Sequence, residues 1–444
     1  MLRIKDIVIS VFIAIGAMLV SYASSNWSIM GWEEKSLLAR TELFKSFVID
    51  YKNDTSDDVV FIDVTYDKEL RPVYETSFTP DMEELADHGR NDIEEEFQKM
   101  PLGNNFITDR GKLLQLLQIL KEKDDYKFIL LDIAFSNEID SSPDSLLFAT
   151  IASMRDIIIP RHAGMVLADP VLYDKSGMAD YSTLYIESDF IKFPYFFDGQ
   201  KSIPLLLYET LYNVNVNDHK LYATDNGRLA RKSIPLTLDF RMNRNIHENE
   251  GNLILEDEME IPLMGRDILG VISCTEDPSY SWLDDDPDMF KGKLVVIGSL
   301  FGDDNHSTYV GEMPGCLILY NAYLSLKKGR HLMTWPLILV LFLIFFLLSF
   351  TILKKDTLVY YIQEQKRKST KKWLKNYYKV IKILIANFAI EFILAFICVI
   401  IYLISGEIYD IVLTGIYFIL VAWIIKKRRI ISFLLKKFYR VKSK

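Results

Sequence analysis

The placement of charge around four apolar runs constrains this chain more than any other feature. Of its 51 Lys and Arg residues, 21 lie outside residues 24–334, whereas only six of its 60 Asp and Glu residues do. The central segment therefore carries −24 and the flanks +15, an asymmetry hidden within the overall −9. The apolar runs cover residues 7–23, 335–353, 383–404 and 408–425, which are 17, 19, 22 and 18 residues long. About 20 residues of helix cross a hydrocarbon core ~30 Å thick, so each run reads as a membrane span. Short basic flanks mark the cytoplasmic face.

The expected layout follows from these two observations. Residues 1–23 form an N-terminal anchor, 24–334 an extracytoplasmic α/β domain, and 335–353 a returning helix. Residues 354–382 form a basic cytoplasmic loop, 383–425 a transmembrane hairpin turning at Ser405, Gly406 and Glu407, and 426–444 a basic tail. The fold class is thus an α/β external domain with a largely parallel sheet plus four transmembrane helices. The location is a bacterial cytoplasmic (inner) membrane, multi-pass, with both termini inside. A removed signal peptide is the alternative for the first run, since Ser21-Tyr22-Ala23 approaches a small-x-small cleavage site. Cys398 falls in the third span, while Cys274 and Cys316 either pair or stay as two buried thiols.

At about 310 residues the external segment is large enough for one sizeable α/β domain or a domain with an insertion. The runs VVFIDV from Val59, FILLDI from Phe128, IIIP from Ile157 and LVVIG from Leu294 read as strands. Their near-continuous apolar character implies burial on both faces, as in a parallel sheet. Leu113, Leu116, Leu117 and Leu120 give a helical stripe, with Thr108 or Asp109 as its cap. A second helix has Ser142 as cap, Pro143 in its first turn and Leu147, Ile151 and Met154 on one face. Residues 203–213 look helical and 234–241 strand-like. Residues 66–105, acidic and long, read as a solvated surface insertion.

Together these segments resemble a known family. VVFIDVTYD near Val59, ITDRGKLLQLLQIL around Arg110, FILLDIAFSNEIDSSPDSLLFATI from Phe128, IPLTLDFR from Ile234 and FKGKLVVIGSLFGDDNHSTYVGEMPGCLILYNAYLSL from Phe290 are similar to the second class of CHASE-type extracellular sensory domains. The resemblance implies an external sensor followed by three further spans. Two departures stand out: the acidic insertion after Asp67, and the 19 residues that follow the last span, too few for an output domain. The expected output is therefore a separate effector.

Ligands of open α/β sheets collect beyond the carboxyl ends of the strands. Here those ends carry Asp63, Thr65, Tyr66 and Asp67; Asp132 and Ser136; Arg161 and His162; and Ser299, Asp303, Asp304, His306 and Thr308. Carboxylates opposite Arg161 and His162 suit a zwitterionic or anionic molecule, and Asp with His a divalent cation. Against this, Asp303 to Asn305 also reads as an ordinary turn, and Asp63 and Asp132 as helix caps. No nucleophile elbow, phosphate loop or zinc-spaced Cys/His set is present, so no enzyme, catalytic residue or cofactor is expected. A metal-dependent hydrolase using Asp303, Asp304 and His306 and a structural subunit of an envelope complex are the alternatives to a sensor.

In the membrane part, Asn387 and Glu391 lie near the middle of the third span, where an ionised carboxylate is costly unless paired or protonated. The basic cytoplasmic segments, interleaved with Trp373, Tyr377, Tyr378, Phe433 and Phe438, suit headgroup contact rather than nucleic acid. Expected partners are membrane lipid, a small-molecule or protein ligand outside, and an effector or membrane partner protein. A homo-oligomer is left open.

Overall fold

The computed structural model describes residues 4–26, 58–65, 67–74, 101–139, 141–180, 192–219, 222–235, 246–249, 252–255, 288–300, 304–308, 311–368, 414–425 and 427. The chain begins with α1 (Ile4–Asn26), then β1 (Val59–Asp63), β2 (Lys68–Tyr74) and β3 (Pro101–Thr108). Next come α2 (Arg110–Lys123), β4 (Phe128–Leu131), α3 (Asp144–Ser153), β5 (Ile157–Arg161), β6 (Ser176–Met178) and β7 (Lys192–Pro194). The helix α4 (Ile203–Tyr212) precedes four short strands, β8 (Val216–Asp218), β9 (Ala223–Asp225), β10 (Arg228–Ala230) and β11 (Ser233–Pro235). After β12 (Leu294–Gly298) come β13 (Asn305–Thr308), β14 (Gly311–Pro314), α5 (Gly315–Lys327), α6 (Trp335–Lys368) and α7 (Thr414–Ile425).

Five strands form one sheet in the order β1-β12-β4-β5-β6, and every neighbouring pair is parallel. Alternate residues of each strand point to opposite faces, and both faces are covered. Val59, Phe61, Leu130 and Val296 pack with α4 and α5 on one side. Val60, Ile62, Ile129, Leu131 and Ile297 pack with α2 and α3 on the other. Two buried faces are why these strands read as unbroken apolar runs.

The expected parallel sheet and its first four strands are thus present. Asp109 caps α2, its side chain accepting from the Lys112 N–H. The next helix differs from expectation: Pro143 occupies the cap position with no side-chain bond, because Asp144 turns back to accept from the Ser141 N–H at 2.8 Å. The region expected as a solvated insertion also departs. Its two ends are β2 and β3, paired antiparallel from Lys68↔Thr108 to Tyr74↔Pro101. Lys112 of α2 pairs with Asp67 at the start of that ribbon at 2.8 Å, and within β2 Arg71 pairs with Glu69 at 2.7 Å. Residues 75–100 between them lie outside the described residues.

Among the described residues two helices are apolar and long enough to cross a membrane, Ile4–Ala23 and Trp335–Leu353. On α1 the buried positions Ser10, Ala14, Ala17 and Ser21 form a stripe of small residues, whereas Val8, Phe12, Ile15 and Leu19 are exposed. Small side chains let helix backbones approach closely in lipid. Against that stripe pack Leu341, Phe345 and Leu348 of α6 and Phe418 of α7, and the Tyr417 hydroxyl donates to the Ile13 carbonyl at 3.0 Å. The third expected span, with Asn387, Glu391 and Cys398, lies outside the described residues, and the fourth is represented by the shorter helix α7. The segment expected as a loop after residue 353 begins as helix, α6 continuing to Lys368. No Gly or Pro interrupts residues 337–368, and Lys, Arg, Gln and Glu are good helix formers.

Gly298 ends β12 where α5 begins its approach. A Cβ there would lie 2.8 Å from Cβ of Cys316 and 3.3 Å from Cβ of Asp132, contacts side chains do not make. Gly298→Ala is therefore expected to destabilise the chain by about 1–3 kcal/mol through overpacking. The double variant with Cys316→Gly should recover part of that loss in a thermal-unfolding cycle, because it removes the atom struck. Additive losses would refute the clash.

Candidate functional site

A cleft of about 280 Å³ opens over the carboxyl ends of the sheet strands. Val64 follows β1, Asp132, Ile133 and Ala134 follow β4, Pro160 and His162 flank the end of β5, and Ser299 follows β12. The β2–β3 ribbon closes one wall with Lys68, Ile107 and Thr108. Arg110 at the start of α2 and Asp304 just before β13 complete the lining. This is where an open parallel sheet gathers ligands.

Asp132 is the central group. Its backbone N–H donates to the Ile297 carbonyl at 2.7 Å, which fixes it against β12. Its carboxyl oxygen Oδ2 is fully shielded and has no hydrogen-bond partner among the described residues, although the residue keeps some exposure along the cleft wall. Asp304 faces it across the start of α5. A Cβ on Gly315 would lie 2.5 Å from Asp304 Oδ2 and 3.3 Å from Asp132 Oδ2, so both carboxyls press against that glycine. Burial, and then repulsion from Asp304, push the Asp132 carboxyl up to about 7. His306 bonds Asp304 through Nε2 at 3.1 Å, and that bond raises the imidazole despite its partial burial.

The basic side is built differently. Arg110 is buried, pairs with Asp144 at 2.6 Å and lies over the Phe135 ring at 5.3 Å, so its charge is committed. Glu69 ties the ribbon to this network, accepting from the Ser141 hydroxyl at 3.0 Å and the Arg110 N–H at 3.4 Å. Burial opposes ionisation of Glu69, yet the Arg71, Ser141 and Arg110 bonds hold it below the usual carboxylate value. His162 bonds Asp180 through Nδ1 at 3.1 Å and remains half exposed. Lys68 is exposed, and no ion pair occupies its ammonium among the described residues.

The expected site residues divide sharply. Asp132, His162, Ser299 and Asp304 reach the cleft, with His306 one bond behind Asp304. Asp63 does not, because its Oδ1 is spent inside the fold, accepting from the Thr65 N–H at 3.0 Å and the Leu300 N–H at 2.9 Å. Ser136 pairs with Leu167 away from the cleft. Arg161 is turned outward: it lies between two cleft residues on one strand, so alternation sends it to the other face. There it bonds Gln200 and covers the Tyr173 ring at 5.2 Å. Thr308 is buried in β13, and Tyr66 and Asp303 lie outside the described residues.

Sequence reasoning missed Lys68, Thr108 and Arg110. Arg110 carried a signal, since it falls on the same helical stripe as Leu113, Leu117 and Leu120 and thus points into the core. Among the described residues no three His, Cys, Asp or Glu groups are arranged to hold a metal ion. Cys316 is a free, buried thiol, and its expected alternative partner Cys274 lies outside the described residues.

These features define an open α/β domain carried between two helices apolar enough to cross a membrane. A family model described as CHASE2 domain matches residues 85–353. The chain belongs to that family of extracellular sensory domains. The match takes in the second apolar helix and begins after β1 and β2, which nonetheless complete the sheet and the cleft wall. No curated protein and no solved structure matches the chain.

The folded chain holds the Asp132 proton up to about pH 7, whereas an ordinary aspartate releases it near 3.8. Between those values the folded state binds more protons than the unfolded one, so this group's contribution to stability falls as pH rises. His306, raised in the fold, acts in the same direction because its favourable charge is lost at higher pH. Asp132→Asn should therefore raise the melting temperature of the purified chain most at pH 8, by clearly less at pH 5, and hardly at all at pH 3.5. Each unit of displacement is worth about 1.4 kcal/mol. Equal melting shifts at all of these values would contradict the raised carboxyl.

Proposed function

We propose that the chain is a membrane-anchored sensor that takes a small molecule in the external cleft and passes occupancy inward to an effector on the cytoplasmic side. The observation that carries this reading is the course of α5. It starts at the Asp132–Asp304 pair, and its residues from Cys316 to Leu326 are all buried. Thirteen residues at 1.5 Å each carry it roughly 20 Å, to the turn that feeds α6.

That turn is gripped by β10. Leu332 bridges to Ala230, the Met333 N–H donates to the Leu229 carbonyl at 2.9 Å, and the Arg231 N–H donates to the His331 carbonyl at 3.0 Å. The same strand holds the first membrane helix, since the Tyr22 hydroxyl donates to the Ala230 carbonyl at 2.9 Å. Beneath it His331, wholly buried, bonds Asp225 through Nε2 at 2.9 Å, and Tyr208 donates to the same carboxylate oxygen at 3.1 Å. Burial opposes ionisation of Asp225, but the bond and charge of His331 with the Tyr208 hydroxyl hold it below the usual range. A movement at the cleft end of α5 thus has a rigid route to both membrane helices. The charge asymmetry supports the orientation, with the acidic domain outside and the basic segments inside a bacterial cytoplasmic membrane.

The test uses the full chain in lipid nanodiscs and a panel of amino acids, nucleotides, sugars and divalent cations. Binding to the native state at a hundredfold excess over Kd adds about 2.7 kcal/mol and raises the melting temperature. A binder should also slow or speed hydrogen exchange at residues 328–334. His331→Ala leaves Asp225 buried without its partner and is expected to cost about 3 kcal/mol. It should uncouple that exchange response while binding persists. A panel without any binder sinks the ligand reading, and a binder that leaves residues 328–334 unmoved sinks the relay.

A further inference from the structure

The cleft lining carries groups of both charge signs, and one class of small molecule answers both. Asp132 and Asp304 are two carboxyls set against Gly315, with a shielded Asp132 oxygen that has no partner among the described residues. The same lining holds the Lys68 ammonium beyond β1 and the half-exposed His162 beyond β5, on either side of Asp132 in the strand order, while Arg110 is already neutralised by Asp144. Val64, Ile107, Ile133 and Pro160 supply apolar wall. The volume of about 280 Å³ lies at the small end of ligand pockets.

Each competing class leaves one charge sign unanswered. A phosphate or other anion would face the two carboxyls, and a polyamine would face Lys68 and His162. A neutral sugar leaves the unsatisfied carboxyl without a cationic partner, and buried carboxylates are costly without one. A divalent cation needs a ligand set that the described residues do not assemble.

We infer that the cleft is built for a small zwitterion of the α-amino-acid class, its ammonium between Asp132 and Asp304 and its carboxylate toward Lys68. The inference rests on the sensory reading above and narrows it to one substrate class. The ammonium supplies three N–H donors, enough to bond both carboxyls and the Ser299 hydroxyl beside them. The Ser299 hydroxyl is held in place by Thr65, whose own hydroxyl lies 3.2 Å away. Thr108, the register partner of Lys68 across the ribbon, also lines the cleft and offers a hydroxyl as a second donor to the carboxylate.

The experiment is calorimetry on the full chain in nanodiscs with glycine, L-alanine, L-serine, L-leucine and L-glutamate. Each is compared with its N-acetyl derivative, which lacks the ammonium, and its methyl ester, which lacks the carboxylate. At least one free amino acid is expected to bind, with both derivatives at least tenfold weaker. Asp132→Asn should weaken that amino acid thirtyfold or more, on the order expected when one partner of a desolvated charge pair is removed. Its melting temperature at pH 5 reports whether the variant folds. Lys68→Gln, on an exposed strand position, should weaken the free amino acid several-fold and leave the methyl ester unaffected.

Equal binding of an N-acetyl derivative overturns the ammonium contact, and equal binding of an ester overturns the carboxylate contact. Binding of a sugar, nucleotide or cation with no amino acid bound overturns the class while the sensory reading survives. No binding by any compound removes both. Silence from every amino acid together with an Asp132→Asn chain stabilised at pH 8 identifies the carboxyl pair as a proton-sharing pair instead.

Discussion

The close seat of α5 on the end of β12 governs everything else in the external domain. Gly298 lets the Cys316 side chain seat against the end of β12, and Gly315 lets Asp132 and Asp304 close over the first turn. With any larger side chain at either position the helix would lift, and the cleft floor would lift with it. The helix start also bears on the electrostatics. Unbonded N–H groups and the aligned peptide dipoles favour negative charge there, which helps two carboxyls to share so little space. The favourable term is modest, around 1 kcal/mol, so it does not cancel the repulsion and desolvation that burden Asp132. The carboxyl stays raised and unsatisfied.

The two ends of α5 each hold a buried carboxyl, but among the described residues only one has a bonded oxygen. At the far end Asp225 Oδ2 receives both His331 and Tyr208, with the rings of Tyr195 and Tyr208 edge-on to the imidazole at 6.0 and 5.3 Å, while Asp225 Oδ1 and His331 Nδ1 are shielded without a hydrogen bond among the described residues. Such a network is rigid because breaking any member exposes the rest to a low dielectric. At the cleft end Asp132 Oδ2 has no hydrogen-bond partner and Lys68 no ion pair among the described residues. Unused polar capacity of this kind costs stability.

How much of this was legible in the sequence differs from element to element. The strands β1, β4, β5 and β12 announced themselves because burial on both faces strips polar residues from the run. Their order did not, since inserting β12 between β1 and β4 depends on where the helices lie, and no local pattern records that. Asp132, His162 and Ser299 were expected because strand ends are where ligands gather, and they line the cleft, whereas Arg161 was assigned to it against the two-residue alternation that turns it away. Asp63 looked equally suitable, and only the Thr65 and Leu300 N–H groups reveal that its acceptor capacity is consumed. The ribbon residues Lys68 and Thr108 stayed hidden because an acidic stretch between two strands reads as solvent-facing from composition alone.

The membrane helices complete the argument through the way they are held. In lipid the hydrophobic effect does not drive helices together, so packing and a few hydrogen bonds decide their spacing. The α1 stripe of Ser10, Ala14, Ala17 and Ser21 gives close contact without interlocking side chains, and the Tyr417 bond to Ile13 adds a single polar tie. Above the membrane the constraint is tighter, because Tyr22 on α1 and Met333 before α6 both bond to β10. Two helices joined at one end through β10 and packed smoothly along their length can change their mutual angle without separating. Because α6 runs on without interruption to Lys368, a change of angle at β10 would be carried into the basic segment along one continuous helix.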